Sequence, residues 1–123
     1  MKLVVLDGYS LNPGDLSWDE LRSYGTLEVF PRTEKEKVKE RIKDATIVFT
    51  NKTPIKDSDM QGSKVKFICV LATGYNIVDT QAAKARGIVV SNVPTYGTGT
   101  VAQFATAMML ELSHGIGEHS RSV

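Results

Sequence analysis

The chain has 123 residues, 41% hydrophobic and 24% charged, a size and balance that suit about one soluble globular domain. Its 15 basic and 14 acidic residues leave a net charge of +1, which excludes the broad basic face that nucleic-acid binding requires. A single cysteine excludes an internal disulfide, and no apolar stretch approaches the roughly 20 residues that span a bilayer.

Leu3-Val4-Val5-Leu6 opens the chain as a short continuous apolar run, the pattern of a strand buried on both faces of a parallel sheet. No basic-then-apolar leader precedes it, so a cytoplasmic, reducing location is expected. Asn12-Pro13-Gly14 marks a turn, after which Ser17 offers an N-cap for a helix through Tyr24, with Gly25 as its stop. Thr26 to Phe30 reads as the second strand. Thr33 and Glu36 then match a capping box for a charged helix to about Lys43, whose inward stripe is Val38 and Ile42. Ala45 to Thr50 is the third strand, Lys56 to Met60 a helical turn and Lys66 to Leu71 the fourth strand. Cys69, inside that run, is expected to be a buried small hydrophobe. Asp79 caps a helix to Arg86 that Gly87 ends, and Ile88 to Ser91 is the fifth strand. Strands and helices thus alternate at roughly 20-residue spacing, which predicts an α/β fold with a parallel sheet and right-handed crossovers.

Ligands of open parallel sheets bind beyond the carboxyl ends of the strands. Those ends carry Asp7-Gly8-Tyr9, Asn51-Lys52-Thr53-Pro54, Ala72-Thr73-Gly74-Tyr75-Asn76 and Asn92-Val93-Pro94-Thr95-Tyr96-Gly97. Gly74 would let a small anion approach the surrounding backbone N–H groups closely. On spacing alone the plainer alternative is that Gly74 only permits a tight turn and Asn76 bonds its own backbone. Gly97-Thr98-Gly99-Thr100 leads into the last helix, with Thr98 or Thr100 as cap; it lacks the spacing of a dinucleotide fingerprint or a P-loop and is a weak phosphate signal. The last helix is apolar nearly all round. A helix beside one sheet can cover only one side, so a second body is expected against the other.

The segments Asn51-Lys52-Thr53-Pro54-Ile55, Leu71-Ala72-Thr73-Gly74-Tyr75-Asn76-Ile77-Val78-Asp79 and Ser91-Asn92-Val93-Pro94-Thr95-Tyr96-Gly97-Thr98, followed by Val101-Ala102-Gln103, occur in an order and spacing that carry a resemblance. Together they resemble the amino-terminal half of D-2-hydroxyacid dehydrogenases, in the glycerate dehydrogenase (hydroxypyruvate reductase) branch. The resemblance covers the whole chain, most densely from about Ile47 to Leu112. It implies a flavodoxin-like five-stranded parallel sheet, order 2-1-3-4-5, with helices on both faces over residues 1–99. Residues 100–123 would be an interdomain and dimerisation helix and the start of a link to a Rossmann domain. It further implies that Thr73 and Gly74 hold a substrate carboxylate through backbone N–H groups. Tyr96 would line the cleft with Lys52 near it, and Thr100 would face the nicotinamide end of NAD or NADP. The partners implied are a small 2-hydroxy or 2-oxo acid, the Rossmann domain and a second copy of the chain.

The family's glycine-rich fingerprint and its catalytic Arg, Glu and His come later in such sequences, at positions that would lie beyond Val123, and have no counterpart among these residues. No catalytic residue or metal ligand is therefore assigned, and His114 and His119 read as surface residues at a helix end. The stretch from Met1 to Val123 reads as a fragment expected to be inactive alone. Two other classes compete. A free-standing flavodoxin-like module would bind FMN or receive a phosphoryl group, although Tyr9-Ser10-Leu11-Asn12 is a poor phosphate loop and Asp7 has no acidic neighbours. An assembly role would use the apolar last helix.

Overall fold

The computed structural model describes all residues from Met1 to Val123. Five strands, β1 (Lys2–Val5), β2 (Thr26–Val29), β3 (Ile47–Thr50), β4 (Phe67–Val70) and β5 (Val89–Asn92), form one sheet in the order β2-β1-β3-β4-β5. Every pairing is parallel. The chain moves outward from β1 to β2, crosses back to β3 and then proceeds the other way, so the order reverses between β1 and β3. The expected sheet and its order are both present.

Six helices connect and follow these strands: α1 (Asp19–Arg22), α2 (Val38–Ile42), α3 (Asp57–Met60), α4 (Thr80–Ala85), α5 (Thr98–His114) and α6 (Ile116–Ser122). The core lies on one face of the sheet. Val4, Val48, Ile68 and Val70 from the strands, with Leu6 just after β1, meet Val38 and Ile42 of α2, Met60 of α3 and Ala83 of α4 in one buried cluster. Val38 and Ile42 are fully buried, as their four-residue spacing requires of the only apolar stripe on a charged helix.

The second face carries two rows in register, Leu27-Leu3-Ile47-Phe67-Val89 and Val29-Val5-Phe49-Cys69-Ser91. Its cover thins from β1 outward. Leu3 and Val5 are buried, and at the end of β1 Trp18 approaches Gly8 beside Val29. Ile47, Phe49, Phe67 and Cys69 are only half-buried, and Val89 is 60% exposed. Cys69 is thus not the fully buried hydrophobe its flanking residues predict; it points to the less covered face.

Local chemistry explains most boundaries. The Asp79 carboxylate accepts the Ala82 N–H at 2.9 Å and starts α4, and Gly87, at φ +67°, ends it. Gly25 is required by close approach: a Cβ there would collide with the Met1 carbonyl, to which Thr26 N–H must donate for β2 to pair with β1.

Three caps differ from expectation. The helix after Ser17 is a single turn; its N-cap is Trp18, although the Ser17 hydroxyl does accept the Asp19 N–H. Thr33 caps nothing, because its hydroxyl donates to the Leu6 carbonyl and accepts from Arg41, so the capping box is absent and a 3₁₀ turn (Lys35–Lys37) leads into α2. Gly97, not Thr98 or Thr100, is the N-cap of α5. The largest difference concerns α5 itself. The sequence predicts that it presses one side on the sheet, yet none of its residues is buried, and Phe104, Met109 and Leu112 are 67%, 61% and 83% exposed. Gly115, left-handed at φ 56°, closes it by donating its N–H to the Glu111 carbonyl at 2.8 Å. Gly115 divides this last stretch into α5 and the short α6, whose C-cap is the exposed Val123. No helix is long and apolar enough to cross a membrane.

Candidate functional site

The carboxyl ends of the strands form one rim, and each loop on it is held by a specific bond. After β1, Asp7 is buried to 5% exposure. Its carboxylate accepts the N–H groups of Asn51, Lys52 and Thr53, the last at 2.8 Å. Three backbone donors converging on one buried carboxylate fix the loop after β3, and the Thr50 hydroxyl closes it further by donating to the Thr53 carbonyl at 2.8 Å.

The loops after β4 and β5 are tied to each other. Val93 N–H donates to the Ala72 carbonyl at 3.1 Å, the Asn92 amide to the Thr73 carbonyl at 2.8 Å, and the Thr73 hydroxyl to the Val93 carbonyl at 3.2 Å. These bonds use the carbonyl and hydroxyl of Thr73 but leave its N–H free. None of the four consecutive N–H groups from Thr73 to Asn76 donates within the chain. Gly74 sits exposed among them. A Cβ on it would meet only the Asn76 Oδ1 at 3.9 Å, and its backbone is not left-handed, so nothing in the fold itself demands glycine there.

Thr73, Tyr96 and Thr100 line one open cleft of about 730 Å³ between this loop and the first turn of α5, together with Gly97, Thr98 and Val101. Tyr96 is 70% exposed into it. The residue before it, Thr95, has φ 61°, a left-handed backbone that a β-branched residue adopts only under strain of about 1–3 kcal/mol. At the α5 end, the Gly99 and Thr100 N–H groups make no bond within the chain. The cleft therefore offers the free N–H groups, and the hydroxyls, of Thr73 and Thr100 at its two ends. Its lining holds no carboxylate, imidazole or amine, so it is equipped to bind and orient rather than to move protons.

Lys52 is placed elsewhere. It lines a separate recess of about 380 Å³ with Asp7, Tyr9, Ser10, Arg32 and Thr33. A third hollow of about 500 Å³ runs along β5 beside Lys84 and Tyr75. His114 and His119 are exposed in α5 and α6, away from the rim loops in sequence and in different helices. The residues between His119 and Val123 are exposed as well and line none of the three hollows. Asp44 and Lys64 form an ion pair of 2.8 Å at the opposite, amino-terminal edge of the sheet. The bond and charge of Lys64 lower the Asp44 pKa, and Asp44 raises that of Lys64 in turn. Sequence reasoning missed the Asp7 clamp, the Asn92 tie and the Thr95 backbone. Their only visible signal was a place at the strand ends of the rim, which the sequence shows for Asp7, Asn92 and Thr95 alike without revealing what each does there.

Comparison with known proteins matches this architecture. Residues 4–119 fit the family model of the D-isomer specific 2-hydroxyacid dehydrogenase catalytic domain. A hydroxypyruvate reductase from Blautia hydrogenotrophica is 51% identical over all of this chain and 39% of its own length. A glycerate dehydrogenase from Methylorubrum extorquens is 34% identical over 99% of the chain and 38% of its own length. Among solved structures, an acyclic imino acid reductase in complex with NADPH and D-Arg superposes with a TM-score of 0.82 at 26% identity, covering 99% of this chain and 40% of that one. The chain thus spans about two fifths of the length of the relatives it matches.

Proposed function

The chain belongs to the D-isomer specific 2-hydroxyacid dehydrogenase family, and from that premise we propose that it forms the substrate side of an oxidoreductase interconverting a D-2-hydroxy acid and its 2-oxo acid, of the glycerate/hydroxypyruvate type. The observation that carries the reading is the row of free N–H groups from Thr73 to Asn76 around a glycine the fold does not itself need. A carboxylate docked there gains charge-assisted hydrogen bonds of about 1.5–3 kcal/mol each, and any Cβ at Gly74 would stand in its way. Of that row Thr73 lines the cleft together with Tyr96, which orients the remainder of a small acid. Lys52 is a substrate-side residue only by family resemblance, since its recess is distinct.

The cofactor fits in part. Thr100 and the unpaired N–H groups of the first turn of α5 would hold the nicotinamide end of NAD or NADP. The sequence contains no glycine-rich fingerprint for the pyrophosphate. When bound, that cofactor supplies or accepts the hydride. This chain's residues contribute carboxylate binding, orientation and one wall of the cleft. The acid/base groups and the rest of the cofactor cradle are assigned to the three fifths of the relatives' length that this chain does not span. The 123 residues by themselves are then inactive.

Two further parts of the reading concern surroundings. The exposed apolar length of α5 supports a boundary near residues 99–100, with the helix lying between a Rossmann domain and a second copy of the chain. A free thiol at Cys69 suits a reducing, cytoplasmic setting.

Titrating the chain with hydroxypyruvate or D-glycerate while following amide resonances tests the proposal. Saturable shifts at Thr73–Asn76, abolished by Gly74→Val, are expected. Loop resonances indifferent to both acids would overturn it, whereas rapid NADH-dependent hydroxypyruvate reduction by the 123-residue chain alone would overturn only its expected inactivity. Saturable binding of FMN would favour a flavodoxin-like module instead.

A further inference from the structure

The recess around Lys52 stands at the one place on the rim that the cleft does not use. It opens between the loops after β1, β2 and β3, where the strand order reverses, and that reversal point is where open parallel sheets present their widest crevice. Its walls are rigid. Gly8 N–H donates to the Phe30 carbonyl at 2.8 Å and Tyr9 N–H to the Pro31 carbonyl at 3.1 Å, joining the first two loops. The Arg41 guanidinium, stacked 3.9 Å above the Phe30 ring, donates to the Arg32 carbonyl and the Thr33 hydroxyl, and that hydroxyl is bonded in turn to the Leu6 carbonyl. Asp7 holds the third loop.

Onto this frame two cations are mounted without a counter-ion. Neither Arg32 nor Lys52 is in an ion pair, and both line the same recess. The Arg32 guanidinium lies 5.5 Å from the centre of the Tyr9 ring, which steers it over the recess. The Ser10 and Thr33 hydroxyls complete a polar lining. Asp7 is the only carboxylate there, and its charge is already engaged by three backbone N–H groups. The recess is therefore net positive, polar and preformed.

We propose that this recess is a second anion-binding site, separate from the Thr73–Tyr96–Thr100 cleft, which takes a phosphate group between Arg32 and Lys52. The proposal does not rest on the dehydrogenase reading, since it uses none of the cleft residues. The phosphate belongs either to the free ion or to a small phosphomonoester, and one recognition chemistry serves both.

The test is an amide-resonance titration of the chain with inorganic phosphate at constant ionic strength, repeated with ethyl phosphate. Saturable shifts are expected at Tyr9, Ser10, Thr33, Lys52 and Thr53. Arg32→Gln and Lys52→Gln, both at exposed side chains, should each weaken binding on the order of tenfold or more, and Lys84→Gln should leave it unchanged. A matching response to ethyl phosphate identifies a monoester site, and a response to inorganic phosphate alone identifies the free ion; either supports the site. Phosphate shifts that survive unchanged in the Arg32→Gln/Lys52→Gln double variant overturn it, as does the lack of any saturable shift. Shifts confined to Thr73–Asn76 also overturn it, while leaving the carboxylate reading of the cleft intact.

Discussion

Helices α2 and α5 read in the sequence as opposites, and the structure inverts what their composition suggests. α2 is charged, with two apolar side chains, and both are completely buried under the sheet. α5 carries Val101, Phe104, Met108, Met109, Leu110 and Leu112, and every one is at least 41% exposed. Burial is decided by what stands opposite a side chain rather than by how many apolar neighbours it has along the helix. α2 faces Val4, Leu6 and Val48 at a spacing its two residues match. α5 buries no residue against the sheet, and nothing in the fold stands opposite its apolar surface.

The contrast is sharpest in the core. Ile42→Ala should cost about 2–5 kcal/mol of unfolding free energy, measured by denaturant titration, because the cavity cannot collapse under the sheet. Leu112→Ala in α5 should stay within about 0.5 kcal/mol in dilute solution. Equal losses at the two positions would break the comparison and show α5 to be packed. Next in size is Asp7→Ala, which strands three N–H donors and should cost about 2–4 kcal/mol. Amide exchange should accelerate at Asn51, Lys52 and Thr53 and be unaffected along α5, which would separate the pinned rim from the free helix. Thr95 stands at the joint between the two regions. Thr95→Asn, which tolerates a left-handed backbone better, should stabilise the chain by about 1 kcal/mol in thermal unfolding. The smallest effect belongs to the far edge. Because Lys64 lowers the folded-state pKa of Asp44, that pair stabilises above the ordinary carboxylate value of 3.8 and ceases to do so as pH falls through the depressed one. Asp44→Asn should therefore be very slightly less stable than the native chain at neutral pH and indistinguishable from it in strong acid, since both groups lie on the surface.

The sheet is legible because strands buried in a parallel sheet announce themselves as unbroken apolar runs, and Leu3–Leu6 and Phe67–Leu71 do so. Asp79 and Gly87 are legible because their partners lie within one helical turn. Thr33 misleads for the opposite reason: its hydroxyl serves the Leu6 carbonyl, 27 positions away, and no local pattern reveals that competition. Asp7 reads as an isolated acid, and the three donors that define its role come from residues 51 to 53. The cleft is half legible. Thr73, Tyr96 and Thr100 do meet, but Lys52 lies in a different recess of the rim, a separation set by strand order rather than by spacing along the chain. Nothing in Pro94-Thr95-Tyr96 advertises a left-handed threonine, since β-branched residues are the least expected there.

One property of α5 extends beyond its chemistry. Seventeen residues at about 1.5 Å per residue make a rod of roughly 25 Å that starts at the strand-end loops and finishes at a left-handed glycine. Such a rod sets phase as well as length. A single residue inserted mid-helix would swing its far end by about 100° and misdirect whatever docks there, whereas seven would restore the heading almost fully while adding only about 10 Å. Graded insertions would thus report whether a partner reads the bearing of this helix or merely its reach.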